Sequence, residues 1–252
     1  MTILHAIILS IIEGITEFLP ISSTGHMVLA STLLHIQETD FVKSFEIIIQ
    51  LGAILAVLLL YWKKLFTNKD TFIRIAIAFV PTGIVGLVLY KFIKNVLLGN
   101  PWIVVWALAI GGVLLILLEK FHHKETNVHM TYVQAFLIGC AQSLSIIPGV
   151  SRAAATIGGA LLLGIPRDTA VEFSFLLAIP TMAAATGLDL IKSGHHFTGN
   201  QIELLTIGFV GAFITALLTV KWFIGFIKNH TFIPFGIYRI IAALAFYFFV
   251  LR

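Results

Sequence analysis

Charged residues are scarce in this chain. Asp, Glu, Lys and Arg together make up 11% of its 252 residues, whereas about 25% is usual for soluble domains. At the same time 59% of the residues are hydrophobic, and the mean hydropathy is +1.02. A soluble fold of this length cannot hide so much apolar surface, but a bilayer accepts it. The composition therefore excludes an ordinary soluble domain and predicts a protein embedded in a membrane.

Cysteine is almost absent as well, because Cys140 is the only one in the chain. A single thiol excludes an intramolecular disulfide. The net charge of +4 is modest, and the basic residues are spread between apolar runs rather than gathered in one patch. This distribution is typical of membrane topology signals and gives no basis for nucleic-acid binding. The uneven division of Lys and Arg between alternate loops predicts that both termini lie outside the cell.

Six apolar runs are long enough to cross a bilayer, which requires about 20 helical residues. The sequence therefore predicts an all-α polytopic membrane protein, with residues 1–252 in one membrane domain. The six runs are Phe45–Trp62, Phe72–Ile93, Trp102–Leu118, Val171–Ile191, Ile202–Ile227 and Ile233–Leu251.

Two further apolar regions, Thr2–Leu34 and Thr131–Leu163, are interrupted at their centres by polar residues and proline. Each is too long for one plain span, and too short and too polar for two. A re-entrant helical hairpin with its polar tip at membrane depth fits this pattern, because irregular backbone is tolerated there only where protein or a wet cavity surrounds it. The first half of the first hairpin is expected to end at Pro20.

The two interrupted regions look like copies of each other. A shift of 128 residues places Pro20 on Pro148 and Ser23 on Ser151. Each region is followed by three spans, and an odd number of spans inverts the second copy in the membrane. We therefore predict an inverted repeat of two units, about residues 1–125 and 126–252, each a re-entrant hairpin plus three transmembrane helices. The broken helices of such repeats meet at a central site.

The first hairpin contains two acidic residues and a run of hydroxyl side chains. Glu13 and Glu17 are four residues apart and would share one helix face. Two carboxylates side by side in an apolar helix need a cation, a proton or strong donors nearby. The hydroxyl residues Ser22, Ser23 and Thr24 then stand where a second half-helix would begin. The free N–H groups at such a start suit a phosphate.

Ser23 is the predicted nucleophile of this hairpin. His26 follows three residues after Ser23 and four after Ser22, close enough to act on either hydroxyl. A hydroxyl, an imidazole and a carboxylate are the parts of an activated nucleophile. Attack by Ser22, or directly by water, stays open at this point, and Ser23 is also suited to cap the second half-helix.

The second hairpin carries Gly149, Ser151 and Arg152, and Thr156 follows four residues later. An arginine at this depth without a partner costs at least about 2.5 kcal/mol. Its planar fork matches a phosphate better than any other side chain. Arg152 is therefore the predicted phosphate ligand, with Ser151, Thr156 and the backbone at Gly149 as further donors.

Together these motifs resemble the undecaprenyl-pyrophosphate phosphatase family, also called the bacitracin-resistance proteins. The resemblance rests on Glu-Gly-x-Thr-Glu-Phe-Leu-Pro-x-Ser-Ser-Thr-Gly-His at residues 13–26 and on Pro-Gly-x-Ser-Arg-x-x-Ala-Thr at residues 148–156. It extends to Phe45–Gly52, Glu172–Leu177 and Phe232–Arg239, and so covers essentially the whole chain. Ala153 is a departure, because the family pattern leads us to expect serine there.

The resemblance implies an enzyme of the bacterial cytoplasmic (inner) membrane. It would remove the terminal phosphate from undecaprenyl pyrophosphate, which recycles the cell-wall lipid carrier and confers bacitracin resistance. It also implies a site toward the outer face and a divalent cation, Mg²⁺ or Ca²⁺, which we assign to Glu13 and Glu17. The alternative role of these two carboxylates is to orient His26. Catalytic roles are expected for these two carboxylates and for Ser23, His26 and Arg152.

A lipid transporter or flippase is the alternative function, since inverted repeats and broken helices are frequent in transporters. The Ser–His spacing and the arginine favour the enzyme. The acid-phosphatase-like lipid phosphatases are excluded, because they need a histidine soon after their Ser-Arg pair, and the next one after Arg152 is His195. The expected partners are a polyprenyl pyrophosphate and membrane lipids. Lipid chain length, metal identity and oligomeric state stay open, with a homodimer as one alternative.

Overall fold

The computed structural model describes residues 1–89, 92, 96–97, 100–121, 130–193 and 197–252, apart from the side chains of 121 and 188–193. This described part of the chain contains helices and turns but no β-strand. The α-helices of the described part are, in chain order, α1 (Ile3–Thr16), α2 (Ser23–Leu33), α3 (Asp40–Thr67), α4 (Lys69–Val88), α5 (Pro101–Phe121), α6 (Tyr132–Gln142), α7 (Arg152–Leu162), α8 (Arg167–Ser193), α9 (Gly199–Ile227) and α10 (Ile233–Phe246). A short 3₁₀-helix (Ser143–Ile146) follows α6, and a π-helical turn (Tyr247–Leu251) follows α10.

Six helices in the described part are long and apolar enough to cross a bilayer: α3, α4, α5, α8, α9, and α10 with its π-helical end. They correspond to the six predicted spans, although Ile93, the predicted end of the second, lies outside the described residues. Large apolar side chains cover the outside of the molecule; Leu87 is 69% exposed and Leu162 is 77% exposed. Such a surface requires lipid rather than water around it. The prediction of an all-α polytopic membrane protein is confirmed.

The spanning helices extend beyond their apolar runs because polar residues cap them. Thr39 accepts a hydrogen bond from the N–H of Val42 at 3.3 Å and so starts α3. Asn68 follows α3, and its side chain accepts from the N–H of Thr71 at 3.1 Å to start α4. These caps satisfy N–H groups that have no partner within the helix.

The two interrupted regions form two pairs of short helices, α1 with α2 and α6 with α7. The four helices have 14, 11, 11 and 11 residues, too few at about 1.5 Å per residue for a hydrocarbon core of about 30 Å. The prediction that α1 ends at Pro20 was wrong, because the helix ends at Thr16 and Pro20 lies in the following turn. Proline lacks the N–H that would bond the carbonyl of Thr16, so the helix stops a turn earlier.

Each short pair packs against a long helix from the other half of the chain. Helix α1 lies on α9, and α6 lies on α4. Gly14 allows the first approach, because a Cβ there would lie 2.6 Å from Cβ of Thr215. Gly139 on α6 faces the carbonyl of Ala78 in the same way. The order of elements agrees with two repeated units. Their inversion stays a prediction, and their predicted boundary at 125 and 126 lies outside the described residues.

Candidate active site

The tips of the two short-helix pairs lie against each other, and Arg239 on α10 joins them. Its side chain is buried and donates to the carbonyls of Pro20 and Gly149, one in each tip, both at 3.2 Å. It also donates to the carbonyls of Ala107 at 3.0 Å and Leu108 at 3.4 Å on α5. Buried carbonyls need donors, and the guanidinium supplies several in a fixed fork. Arg239 therefore fixes both tips relative to α5 and does not extend to the membrane surface.

A second link joins the tips through Ser151, the residue before α7. Its hydroxyl accepts from the N–H of Ala154 at 3.1 Å and donates to the carbonyl of Leu19 at 3.4 Å. The backbone turns sharply in both tips, with φ of +75° at Ser22 and +89° at Gly149. A non-glycine residue in this region costs about 1–3 kcal/mol, and such strain persists only where the surrounding structure imposes it. The links between the tips impose it here.

The N-terminal ends of α2 and α7 open into one cavity of about 740 Å³. The first turn of a helix has free N–H groups and a positive dipole end, so two such ends in one cavity favour an anion. Apolar side chains of α4 and α8, such as Leu87 and Met182, form much of the remaining wall. The predicted site residues that line the cavity are Glu17, Ser22, Ser23, Thr24, Ser151 and Arg152.

Three of these residues form a connected group at the cavity wall. The hydroxyl of Ser23 donates to Oε2 of Glu17 at 2.6 Å. The other carboxylate oxygen, Oε1, accepts from Nη2 of Arg152 at 3.0 Å. The carboxylate thus stands between the predicted nucleophile and the predicted phosphate ligand. The structure brings together residues that are far apart in the sequence and belong to different hairpins.

The guanidinium of Arg152 is held on several sides. Nη1 donates to the carbonyl of Ser174 at 2.9 Å, and the group lies 5.6 Å from the ring centre of Phe18. Phe18 in turn meets Phe175 edge to face, with centroids 5.5 Å apart. The Nε–H is buried and has no hydrogen-bond partner among the described residues. Buried donors are nearly always paired, so this one is available for an anion.

His26 was predicted to act on the hydroxyl of Ser23 or Ser22, but its hydrogen-bond partners in the structure are other groups. Its Nδ1 lies 2.7 Å from the carbonyl oxygen of Ser22, and its Nε2 lies 2.7 Å from the hydroxyl of Tyr238, on which it also stacks. Because a carbonyl only accepts, Nδ1 carries the hydrogen, and Nε2 of the neutral ring accepts from Tyr238. The imidazole therefore holds the strained turn at Ser22. The hydroxyl of Ser23 is bonded to Glu17 instead.

Glu13 is fully buried on α1, and neither of its carboxylate oxygens has a hydrogen-bond partner among the described residues. The charged side chains that act on it electrostatically are those of Glu17 and Glu46. A buried carboxylate in such a place requires a proton or a cation. No group of three or more His, Cys, Asp or Glu side chains in the described part forms a complete metal site. A cation here would need ligands from elsewhere, such as phosphate or water.

The chain matches the family model of bacitracin resistance protein BacA over residues 6–245. The chain belongs to the BacA family. A protein of Sulfurihydrogenibium sp. (strain YO3AOP1), named undecaprenyl-diphosphatase, is 56% identical over 98% of this chain and 99% of its own length. A relative of the same name from Aquifex aeolicus (strain VF5) is 52% identical over 98% of this chain and 98% of its own length. Another from Persephonella marina (strain DSM 14350 / EX-H1) is 53% identical over the whole length of both proteins, 100% of each.

Glu13 and His26 do not line the cavity, and neither do three further residues singled out in the sequence. Thr156 is buried, and its hydroxyl lies 2.6 Å from that of Ser174, behind Arg152. Gly149 lies at the tip and offers its carbonyl to Arg239. Ala153, where serine was expected, is fully buried in the core and does not line the cavity.

Ser174, Tyr238 and Arg239 are site residues to which the sequence assigned no role. All lie in stretches that carried the family resemblance, Glu172–Leu177 and Phe232–Arg239. The family resemblance identified these stretches of sequence, but it did not indicate which groups their polar side chains contact. The cap position of α2 belongs to Ser22, without a side-chain cap bond, so Ser23 does not cap the helix.

Proposed function

We propose that this BacA protein hydrolyses undecaprenyl pyrophosphate to the monophosphate and inorganic phosphate. The observation that carries the proposal is the hydroxyl of Ser23, 2.6 Å from a carboxylate oxygen of Glu17 and beside Arg152 in a cavity with two helix N-termini. The shared name of relatives that are 52–56% identical supports the choice of substrate. The same activity would recycle the cell-wall lipid carrier and confer bacitracin resistance.

The pyrophosphate would bind between the two tips. Arg152 supplies charge-assisted donors, and the first N–H groups of α2 and α7 supply backbone donors. Ser22 and Thr24 line the same wall, with Ser151 opposite them in the other tip. The apolar side chains of α4 and α8 suit the first isoprene units of the lipid, which keeps the reacting phosphate at the polar end.

The hydroxyl of Ser23 then attacks the terminal phosphorus while its proton passes to Oε2 of Glu17. The bond from this phosphorus to the bridging oxygen breaks, and the lipid monophosphate leaves. Arg152 and the helix-end amides stabilise the charge on the transferring phosphoryl group. Water next attacks the phosphoserine, Glu17 returns its proton to Ser23, and inorganic phosphate carries away the protons of the water. His26 positions the turn before Ser23 through the carbonyl of Ser22.

A divalent cation, Mg²⁺ or Ca²⁺, fits the unpaired carboxylate of Glu13, with Glu17 one turn away. Both ions prefer oxygen ligands, and Mg²⁺ is commonly held by one or two carboxylates plus substrate phosphates. When bound, the cation would neutralise charge on the pyrophosphate. Only two protein carboxylates are then needed, which agrees with the lack of a larger ligand cluster in the described part of the chain.

The proposed location is the bacterial cytoplasmic membrane, with the cavity open toward the outer face. The outward opening rests on the family resemblance, and the distribution of basic residues predicts only that both termini lie outside. A lipid transporter with the same repeats does not need a serine hydroxyl bonded to a carboxylate beside an arginine, so the phosphatase is the better account of the site.

The test is release of inorganic phosphate from a polyprenyl pyrophosphate by the purified protein in detergent with Mg²⁺ or Ca²⁺. The wild type should release phosphate, and Arg152→Ala should be slower by about 10²-fold or more, since removal of one transition-state donor costs about that much. Arg152→Lys should recover little, because an ammonium lacks the planar fork. A wild type that is inert with every divalent cation would overturn the proposal, and lipid transport would then be measured.

A further inference from the structure

Ser174 lies on α8 and is not exposed at all, yet its side chain contacts the guanidinium of Arg152. Nη1 of Arg152 lies 3.2 Å from Oγ of Ser174 and 2.9 Å from the carbonyl oxygen of the same residue. Oγ of Ser174 lies 2.6 Å from Oγ1 of Thr156 on α7. A serine in an apolar stretch of a spanning helix thus connects the phosphate ligand with a second hydroxyl.

The direction of each hydrogen bond in this group follows from its chemistry. Oγ1 of Thr156 lies 2.9 Å from the carbonyl oxygen of Arg152 and 3.1 Å from that of Ala153, and carbonyls only accept. The single hydroxyl hydrogen of Thr156 is therefore used on the backbone. Ser174 must donate its own hydrogen to Thr156, which leaves its lone pairs for the N–H of Arg152.

We infer that Ser174 is a positioning residue for Arg152, through a chain of bonds that starts at the guanidinium and returns to the backbone of the same arginine. The chain runs from Nη1 to Ser174, from Ser174 to Thr156, and from Thr156 to the first turn of α7. It orients the plane of the guanidinium from behind, while Nη2 and Nε remain on the other edge. The inference rests on the proposed function, because it assigns a task in binding and stabilising phosphate.

This role differs from simple packing of a buried serine. Fork geometry decides how well a guanidinium matches a phosphate. Loss of the chain should therefore reduce stabilisation of the transferring phosphoryl group more than it reduces binding of the lipid. We expect kcat to fall and KM to change little in Ser174→Ala, with a loss of kcat/KM of about 10- to 100-fold, the usual effect of one hydrogen bond to a charged group.

The experiment compares phosphate release by the full-length wild type with that of Ser174→Ala, Thr156→Val and the double variant, and adds thermal unfolding of each in detergent. Ser44→Ala is the matched control, because Ser44 is also buried, on α3, and does not line the cavity. Both single variants should have a lower kcat, and the double variant should be no slower than the slower single variant. Ser44→Ala should behave like the wild type. Inorganic phosphate should inhibit Ser174→Ala more weakly than it inhibits the wild type.

Several outcomes would overturn the inference. They are a Ser174→Ala variant within about twofold of the wild type in kcat, losses that multiply in the double variant, or an equal loss in Ser44→Ala. If Ser174→Ala does not fold, Ser174→Thr is tested instead, because threonine keeps the hydroxyl. Phosphate release by Ser174→Thr supports the proposed chain of hydrogen bonds, and a folded Ser174→Thr protein without phosphate release contradicts it. An inert wild type would instead remove the proposed function itself, so the two failures are distinguishable.

Discussion

Replacement of Glu17 by glutamine would remove one negative charge and keep the shape of the side chain. In the structure its carboxylate serves two partners, accepting from Ser23 at 2.6 Å through Oε2 and from Arg152 at 3.0 Å through Oε1. A neutral amide cannot take the proton of the serine, and it leaves the guanidinium without a counter-charge. Glu17→Gln is therefore expected to affect both the reaction rate and the folded state.

The sizes of the two effects follow from the geometry. A positioned general base contributes about 10²- to 10⁴-fold, so phosphate release should slow by that factor. The side chains of Arg152 and Glu17 are 10% and 6% exposed, and removal of one partner from a buried pair costs about 3–5 kcal/mol. Added phosphate should restore part of that stability, because an anion then replaces the lost carboxylate beside Arg152. For the same reason KM should not rise.

The assay is the initial rate of phosphate release by purified Glu17→Gln, with thermal unfolding measured in the presence and absence of inorganic phosphate. Glu172→Gln is the control. Glu172 also forms an ion pair, with Lys64 at 2.6 Å, but it does not line the cavity. A Glu17→Gln protein within about tenfold of the wild-type rate would refute the assignment of Glu17 as proton acceptor. An equal loss in Glu172→Gln would show that any lost ion pair has this effect.

Three further predictions concern the residues around this pair. Arg239→Lys should lower thermal stability by at least about 1–3 kcal/mol and slow phosphate release, because an ammonium cannot reach all four carbonyls and leaves at least one of them unpaired. An unchanged melting temperature together with unchanged activity would contradict this prediction. Tyr238→Phe should keep the stacking on His26, lose one hydrogen bond and slow release by about 2- to 10-fold, whereas full activity would remove the role given to that pair. Chelation by EDTA should stop phosphate release by the wild type, and added Mg²⁺ or Ca²⁺ should restore it. In Glu13→Gln the added cation should not restore activity. Phosphate release that persists in EDTA would exclude a role for the cation.

The fold was largely predictable from the sequence because a bilayer imposes simple length and composition rules. The run Phe45–Trp62 marks α3, and only its ends differ, since Thr39 caps the helix before the apolar segment and the helix continues to Thr67 after it. The polar interruptions located both tips. The end of α1 was misplaced, because the effect of Pro20 on the carbonyl of Thr16 reaches back one turn.

The site was predictable in its residue types and less so in its contacts. Arg152, Glu17 and Ser23 were identified from chemistry, and they do meet. The partners of Arg239 are backbone carbonyls, which every residue has, so no sequence pattern indicates them.

Side chains that meet across distant segments were the hardest to foresee. The partner of His26 lies 212 residues away along the chain, at Tyr238. The short spacing from His26 to the serines favoured a local contact instead. The role of Ser174 depended on hydrogen-bond directions that only coordinates supply.

The measurement that tests the central claim most directly is the rate of phosphate release by Ser23→Ala beside the wild type and Ser22→Ala. If the hydroxyl held by Glu17 is the nucleophile, Ser23→Ala should fall to the background rate. Ser22→Ala should keep measurable activity, because the backbone carbonyl that His26 contacts is retained. A Ser23→Ala protein that releases phosphate at a rate near that of the wild type would contradict the account and indicate attack by Ser22 or directly by water.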